Sequence, residues 1–275
     1  MLRTKRSIGL RYAAIAVVGL IMGLPVFYAV STSLMTAKEV VAYPPNLLPT
    51  EIRWENYAEA LQFLSGPVIF NSFLFSIGVI LIQLVLALPA GFALAKIPFR
   101  WAAVVIAVLA APLLLPSNAT LIPLFVVTRE LGILNSYAGL ILPVAASTTF
   151  ATLLFRQFFA TLPDGIIEAA RIDGASWFRV LTQIALPLAK PTLAAFASIT
   201  FLNVWNMYVW PQLVAPNPDL KVIPVALAPL ARGEYQSISE SVGMAAAVLS
   251  IIPVLLIFIF TQKWYINGIV GTGQD

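Results

Sequence analysis

Long apolar runs separated by polar stretches dominate the chain, and their lengths decide what they can become. At about 1.5 Å of rise per residue, roughly 20 apolar residues in a helix cross the ~30 Å hydrocarbon layer of a bilayer. Six runs meet or approach that length, at about 12–34, 68–95, 101–127, 136–155, 192–213 and 242–262, which predicts an all-α integral membrane protein of six transmembrane helices. Pro112, Pro116 and Pro123 interrupt the third. Breaks of that kind persist at membrane depth only where neighbours or a water-lined cavity satisfy the freed backbone groups, so this span is expected to be kinked or partly unwound. The longest polar stretches are 35–67, 156–191 and 214–241; with no internal repeat, low-complexity tract or soluble domain, a single membrane domain over 1–275 is expected.

Composition agrees with lipid as the main solvent. Hydrophobic residues make up 60% and charged residues 10% of the chain, where a soluble globule carries about a quarter charged. There is no Cys and no His, which excludes disulfides, thiol nucleophiles, imidazole acid–base chemistry and histidine metal sites. The net charge of +4 would suit a nucleic-acid partner, but its placement on the spans gives another meaning. With the N-terminus in the cytoplasm, the inner segments hold Arg3, Lys5, Arg6, Arg11, Lys96, Arg100, Arg156, Arg171, Arg179, Lys190 and Lys263, eleven of the 16 basic residues. The outer loops hold eight of the 12 acids, Glu39, Glu51, Glu55, Glu59, Glu130, Asp219, Glu234 and Glu240. The Lys/Arg bias sets orientation, so both termini are expected in the cytoplasm and no nucleic acid is implied. The basic start followed by an apolar run also fits a cleavable secretory signal; the run is about twice a typical signal core and lacks a small-residue cleavage site, which favours an uncleaved first span. Trp54, Tyr57, Trp101, Trp210, Trp264 and Tyr265 fall near predicted span ends, where such rings anchor at headgroup level.

The inner loop 156–191 reads RQFFATLPDGIIEAARIDGASWFRVLTQIALPLAKP. Asp164 after Pro163 is a helix start, Ile166, Ile167, Ala170 and Ile172 offer apolar contacts, and Gly174 can take the left-handed conformation that ends a helix. A short amphipathic helix outside the membrane, a turn, and a second helical stretch ending near Pro187 are therefore expected. The plainer reading is a surface helix that merely joins two spans. The order Glu168-Ala169-Ala170, three residues, Gly174, nine residues, then Ile184-x-Leu186-Pro187 is more particular, and resembles the EAA loop of ABC importer permeases.

That resemblance extends over nearly the whole chain. LNSYAGLILPVAASTTFATLLFRQFFATLPDGIIEAARIDGAS (134–176) and WNMYVWPQL (205–213) resemble the second permease of carbohydrate-uptake ABC importers, in particular of the glycerol-3-phosphate type; the maltose type shares the general plan. The resemblance implies a type I ABC importer permease fold in the bacterial cytoplasmic membrane, with the EAA loop as a coupling helix docked on an ATPase. Glu168, Ala169, Ala170, Arg171, Asp173, Gly174 and Pro187 would lie at that contact. Small Ala side chains allow close approach, Gly174 a sharp turn, and the charges pairing across the contact. The implied partners are a homologous first permease, two ATPase copies and an extracytoplasmic solute-binding protein, with membrane lipid around them. The chain has no G-x-x-x-x-G-K-[ST] nucleotide loop, so no cofactor is expected on it, and ATP and Mg would be bound by the ATPase. The implied cargo is glycerol-3-phosphate or a glycerophosphodiester, with a di- or oligosaccharide as the alternative.

A transport path needs polar groups inside apolar spans. Asn203, Trp205, Asn206 and Tyr208 in span five, with Trp210 and Gln212, suit hydroxyl-rich ligands through hydrogen bonds and ring stacking; Asn203 and Asn206, three apart, share a face. Asn71, Ser76 and Gln83 in span two, and Ser117, Asn118 and Thr120 in the broken third, form the next set. Hydrogen-bonded packing between helices is the alternative for all of them. No acidic or basic side chain lies deep in any predicted span, which disfavours an ion-coupled carrier. It also leaves a phosphate to be recognised by a partner permease, backbone donors or an external binding protein. An intramembrane enzyme would lack the groups to do chemistry.

Overall fold

The computed structural model describes residues 2–231 and 238–270. Arg232 and Glu234, and the side chains of Arg3, Lys5, Arg6, Ser117, Asn118, Lys263, Trp264 and Tyr265, lie outside the described residues. Helices, in chain order, are α1 (Leu2–Ser33), α2 (Ala37–Val40), α3 (Glu55–Leu64), α4 (Gly66–Lys96), α5 (Ala102–Ala110), α6 (Leu121–Glu130), α7 (Tyr137–Ala146), α8 (Thr149–Ala160), α9 (Asp164–Ile172), α10 (Trp177–Val180), α11 (Leu186–Leu188), α12 (Lys190–Trp205), α13 (Val209–Val214), α14 (Ile223–Ala231) and α15 (Glu240–Val270). No strand occurs among the described residues.

Three of these are long and apolar enough to cross a bilayer singly, over Ala14–Ser33, Gly66–Lys96 and Glu240–Gln262. Two more candidates are bent pairs: α7 with α8, at 44°, and Trp177–Leu188 with α12, at 77°. The third predicted run, expected to be kinked or partly unwound, is in pieces. Its residues form α5, a 3-10 turn at Ala111–Leu114, another at Ser117–Thr120, and α6. Proline cannot donate to the helical ladder and crowds the carbonyl four residues back, so Pro112, Pro116 and Pro123 account for the fragmentation. The fifth run is also shorter than expected: α12 ends at Trp205, and the chain turns before Pro211 sits within α13.

The chain forms two compact units, Met1–Gly66 with Ala226–Pro253, and Pro67–Val225 with Val254–Asp275. In the first, the loop after α1 is held by hydrogen bonds. Asn56 Nδ2 donates to the Ser33 and Met35 carbonyls (2.8 Å each), Tyr57 and Ser33 share a hydroxyl hydrogen bond (2.7 Å), and Ser31 Oγ donates to the Leu47 carbonyl (2.6 Å). The Glu39 carboxylate accepts from the Thr36 and Thr50 amides, 2.8 Å each, and from both threonine hydroxyls. Thr36 in turn caps α2. These donors hold the Glu39 carboxyl down at about 2, with the Thr50 hydroxyl contributing most.

Because the folded value lies below the ordinary 4.5, the stabilisation from this clamp is complete above about pH 4.5 and is lost as pH falls towards about 2. Measured against Glu39→Gln at the same pH, so that pepsin's own pH dependence cancels, the parental loop should be protected from cleavage within 36–50 at pH 4.5 and lose most of that protection at pH 2.5. Equal cleavage of the parental and Glu39→Gln loops at pH 4.5 would show that the clamp does not order it.

In the second unit, two buried clusters lie along α4. One gathers Ala87 and Phe92 with Phe155, Phe159, Ile167, Val180 and Phe196; the other gathers Phe75 and Val79 with Leu140, Val204, Trp210 and Val222. Trp210, expected to anchor at a span end, is instead 3% exposed, and its Nε1 donates to the Leu140 carbonyl at 3.1 Å. Trp54 and Trp101, by contrast, are exposed. Between α6 and α7 the chain passes through Gly132 and Asn135, both at positive φ, to Ser136, whose Oγ accepts from the Gly139 amide and donates to the Ile133 carbonyl. Gly139 lies so close to that carbonyl that a Cβ would overlap it.

Candidate functional site

The loop between α8 and α12 is built by local rules that its sequence announces. Pro163 occupies the N-cap of α9 in extended conformation, and Asp164 opens the first turn, where a carboxylate favours the positive end of the helix dipole. Lys96, the last residue of α4, fixes that start: its Nζ donates to Asp164 Oδ1 and to the Leu162 carbonyl, both at 2.6 Å. The Lys96 side chain is 5% exposed and that of Asp164 76%, so the pair is anchored from the lysine side.

Ile167 is buried and Ala170 partly buried against the Phe92–Phe159 cluster. Ile166 and Ile172, expected to add apolar contacts, are 46% and 86% exposed. The difference is one of helical phase: residues three apart share a face, so packing Ile167 and Ala170 turns Ile166, Ala169 and Ile172 away from it.

The end of α9 is a Schellman turn. The Ala175 amide donates to the Ala170 carbonyl (3.0 Å) and the Gly174 amide to the Arg171 carbonyl (3.1 Å), while Gly174 takes φ +84° with open space around it. Arg171 braces this turn. Its Nη1 donates to the Ala175 carbonyl at 2.6 Å, and its guanidinium lies 4.7 Å from the Trp177 ring centroid. Ser176 caps the next helix by accepting from the Arg179 amide. Helix α10 continues through a π-helical turn at Leu181–Ala185 into α11. The sharp bend at Ala189 follows from Pro191, which cannot donate to Pro187.

The predicted coupling residues are thus brought together on one short helix and its turn. Glu168, Ala169, Arg171, Asp173 and Gly174 are exposed, as is Pro187 on α11, and Ala170 is half-buried. Trp177 and Lys96, which brace them, were not singled out from sequence. Lys96 registered there only as an inner-side charge, although a lysine ending a span and an aspartate opening a loop helix are natural partners.

The polar span residues are scattered. Asn71 is 1% exposed, and its Nδ2 donates to the Asp219 and Lys221 carbonyls (2.8 and 3.0 Å) while its Oδ1 accepts from the Tyr137 hydroxyl (2.8 Å). Gln83 donates to the Val144 and Ser147 carbonyls (3.3 and 3.0 Å), the groups exposed by the bend between α7 and α8. Both side chains spend their amide hydrogens on backbone carbonyls of the same chain, a packing role; the Val144 carbonyl also accepts from the Ser147 amide at 3.2 Å. Trp205 is buried, stacked on Phe201 and edge-on to Phe73. Asn203 and Asn206 are exposed and Tyr208 half-buried at the end of α12, where Asn206 Nδ2 donates to the Leu202 carbonyl.

Spanning helices, bent helix pairs and an exposed helix–turn–helix presented by one of those pairs together make this a type I ABC permease fold. The chain belongs to the family described as "Binding-protein-dependent transport system inner membrane component", whose model matches residues 87–270. It is similar to the sn-glycerol-3-phosphate transport system permease protein UgpE of Brucella abortus (strain 2308), 33% identical over 92% of each chain. The protein of the same name from Yersinia enterocolitica is 30% identical over 99% of each. Among solved structures, a bacterial ABC transporter involved in the import of the acidic polysaccharide alginate contains a chain with TM-score 0.82 and 26% identity, matched over 96% of this chain and 98% of that one. A chain of the inward-facing MetNI methionine ABC transporter, at 19% identity and TM-score 0.56, covers 74% of this chain and 96% of its own, a likeness of fold.

Proposed function

We propose that this chain is a non-catalytic permease subunit that moves glycerol-3-phosphate or a glycerophosphodiester into the cytoplasm, driven by ATP hydrolysed on a partner. The observation that carries the reading is α9: a Glu-Ala-Ala helix that keeps Glu168, Ala169, Ile172 and Asp173 unburied, is pinned at its start by Lys96, and ends in a left-handed glycine. A rigid helix with an exposed apolar-and-acidic face is suited to a cleft on another protein. The occupant is the ATPase subunit, two copies of which bind ATP and Mg; a homologous permease and an extracytoplasmic solute-binding protein complete the importer. The chain crosses the cytoplasmic membrane six times as one domain, with the fragmented 101–127 region as the third crossing and both termini inside. Asn203, Asn206 and Tyr208 line the substrate path: the two amides are exposed and the ring half-buried at the end of α12, and Gln212 in α13 is exposed as well. The glycerol phosphate cargo rests on the relatives named for that transport.

The test is ATP hydrolysis by the complete complex in lipid, with its binding protein, challenged separately with glycerol-3-phosphate, a glycerophosphodiester and a set of disaccharides. Stimulation by the phosphates alone is expected. Stimulation by a disaccharide alone would overturn the cargo and leave the importer class standing.

A further inference from the structure

Beside the proposed coupling helix lies a cavity to which the transport cycle described above assigns no ligand. It has a volume of about 1040 Å³ and lies between the end of α4, the 97–100 linker and α9. Its lining is amphiphilic. Leu94, Ile97, Phe99 and Ile167 supply apolar wall, while Lys96, Arg100 and Arg171 supply cations. Asp164 and Glu168 also line it, but the Asp164 carboxylate is held by Lys96 at 2.6 Å. Lys96 donates to two oxygens, and an ammonium has three N–H groups. Arg171 gives one guanidinium nitrogen to the Ala175 carbonyl and keeps the rest of its fork. Arg100 is exposed, with its guanidinium 5.0 Å from the Trp101 ring centroid. With Lys96 and Asp164 paired to each other, a group bound here would meet two arginines against one uncommitted acid, Glu168, with apolar surface alongside.

Depth selects among anionic ligands. Lys96 is the final residue of a 31-residue apolar span, which puts the cavity at the level of the lipid headgroups, on the cytoplasmic side in the orientation proposed above. A soluble anion would use the cations and leave Leu94, Ile97 and Phe99 uncovered. An amphiphile with a phosphate head and an acyl stem uses both. Basic pockets beside span ends on the cytoplasmic face are physically suited to anionic headgroups, each basic residue there adding about 1 kcal/mol of attraction.

We infer that this cavity binds a phosphate ester at the membrane surface, namely the headgroup of an anionic phospholipid, and that Arg100 and Arg171 grip its phosphate. The proposal depends on the inside-facing placement of residues 96–100 and not on the cargo. Bound there, the lipid lies against Glu168, Arg171 and Ile172, so it shares that edge of α9 with the proposed ATPase contact and leaves Ala169 and Asp173 clear of the cavity.

The experiment is native mass spectrometry of the complete complex released from nanodiscs of mixed phosphatidylcholine and phosphatidylglycerol. Parental protein should retain phosphatidylglycerol over phosphatidylcholine. Arg100→Gln should lower that preference about fivefold, the weight of one surface basic residue, and Arg129→Gln, on an exposed cation paired with Glu130, should leave it unchanged. Equal retention by the parental and Arg100→Gln complexes overturns the site. Displacement of phosphatidylglycerol by added inorganic phosphate would overturn the lipid and assign a soluble phosphate ester instead. Retention is read without turnover, so failure of ATP coupling or of the cargo assignment would not be mistaken for failure here.

Discussion

Gly174→Val should collapse ATP-driven uptake by between about 5- and 100-fold while the complex still assembles in the membrane. Gly174 sits at φ +84° with nothing near the position of a Cβ, so the added side chain meets no wall; the cost is entirely in the backbone. A β-branched residue in the left-handed region is strained by roughly 1–3 kcal/mol, and each 1.4 kcal/mol is about a factor of ten in the population of the turn. Relief of that strain unwinds the Schellman turn and releases the amides of Gly174 and Ala175 from α9. On the proposed coupling role, the helix would then meet the ATPase at the wrong angle. Gly165→Ala, also in open space but without a positive φ, should transport at close to the parental rate. Uptake and ATP hydrolysis measured together in proteoliposomes decide the matter: normal coupled uptake by Gly174→Val would remove α9 from the coupling contact. Glu168→Lys reports on the same contact through charge, and a normal rate for that variant as well would leave the loop a simple connector.

Gly139→Ala should be the most destabilising single methyl in the second unit. The new Cβ would overlap the Ile133 carbonyl oxygen and come within 3.0 Å of its carbon. Backbone cannot step aside as a side-chain tip can, and this carbonyl is also held by the Ser136 hydroxyl. Overpacking of this kind costs about 1–3 kcal/mol, or several degrees in the melting temperature of a chain this size. Gly78→Ala is the matched control, since its Cβ meets only the Ile141 side chain, at 3.1 Å. Thermal unfolding in detergent should separate the two variants. Equal melting temperatures would show that the 131–136 turn yields freely.

Much of this architecture was open to reading from sequence because its causes are local. The Pro163-Asp164 start, the Gly174 stop and the apolar lengths of α4 and α15 depend on few neighbours. The fragmentation around Pro112, Pro116 and Pro123 was legible for the same reason. The bend at Ser147 and Thr148 was not: no proline or glycine marks it, and the Gln83 amide that stabilises it lies more than 60 positions earlier. The π turn at Leu181–Ala185 carries no compositional sign either. Among candidate site residues, sequence identified the polar positions in the spans but not their directions. Asn71, Gln83 and Trp205 look like pathway groups in one dimension, and in three their polar atoms and rings are occupied by the chain itself. The bracing of α9 by Lys96 joins residues 68 positions apart, and only tertiary structure could supply it, whereas the Arg171–Trp177 contact is local and went unread because the sequence does not show which way either side chain turns.

The Asn71 junction also sets a schedule for biosynthesis. Its two carbonyl partners follow 148 and 150 positions later, so α4 emerges and inserts long before they exist. An amide stranded among lipid tails would be costly for that whole interval. Asn71 stands only five residues into α4, about 7.5 Å from the start of that helix, where water can serve it until the later part of the chain arrives. The final closure of the bundle therefore exchanges solvent for protein at a place the ribosome's timing allows, and an amide with such late partners at the centre of the same helix would have had no interim host.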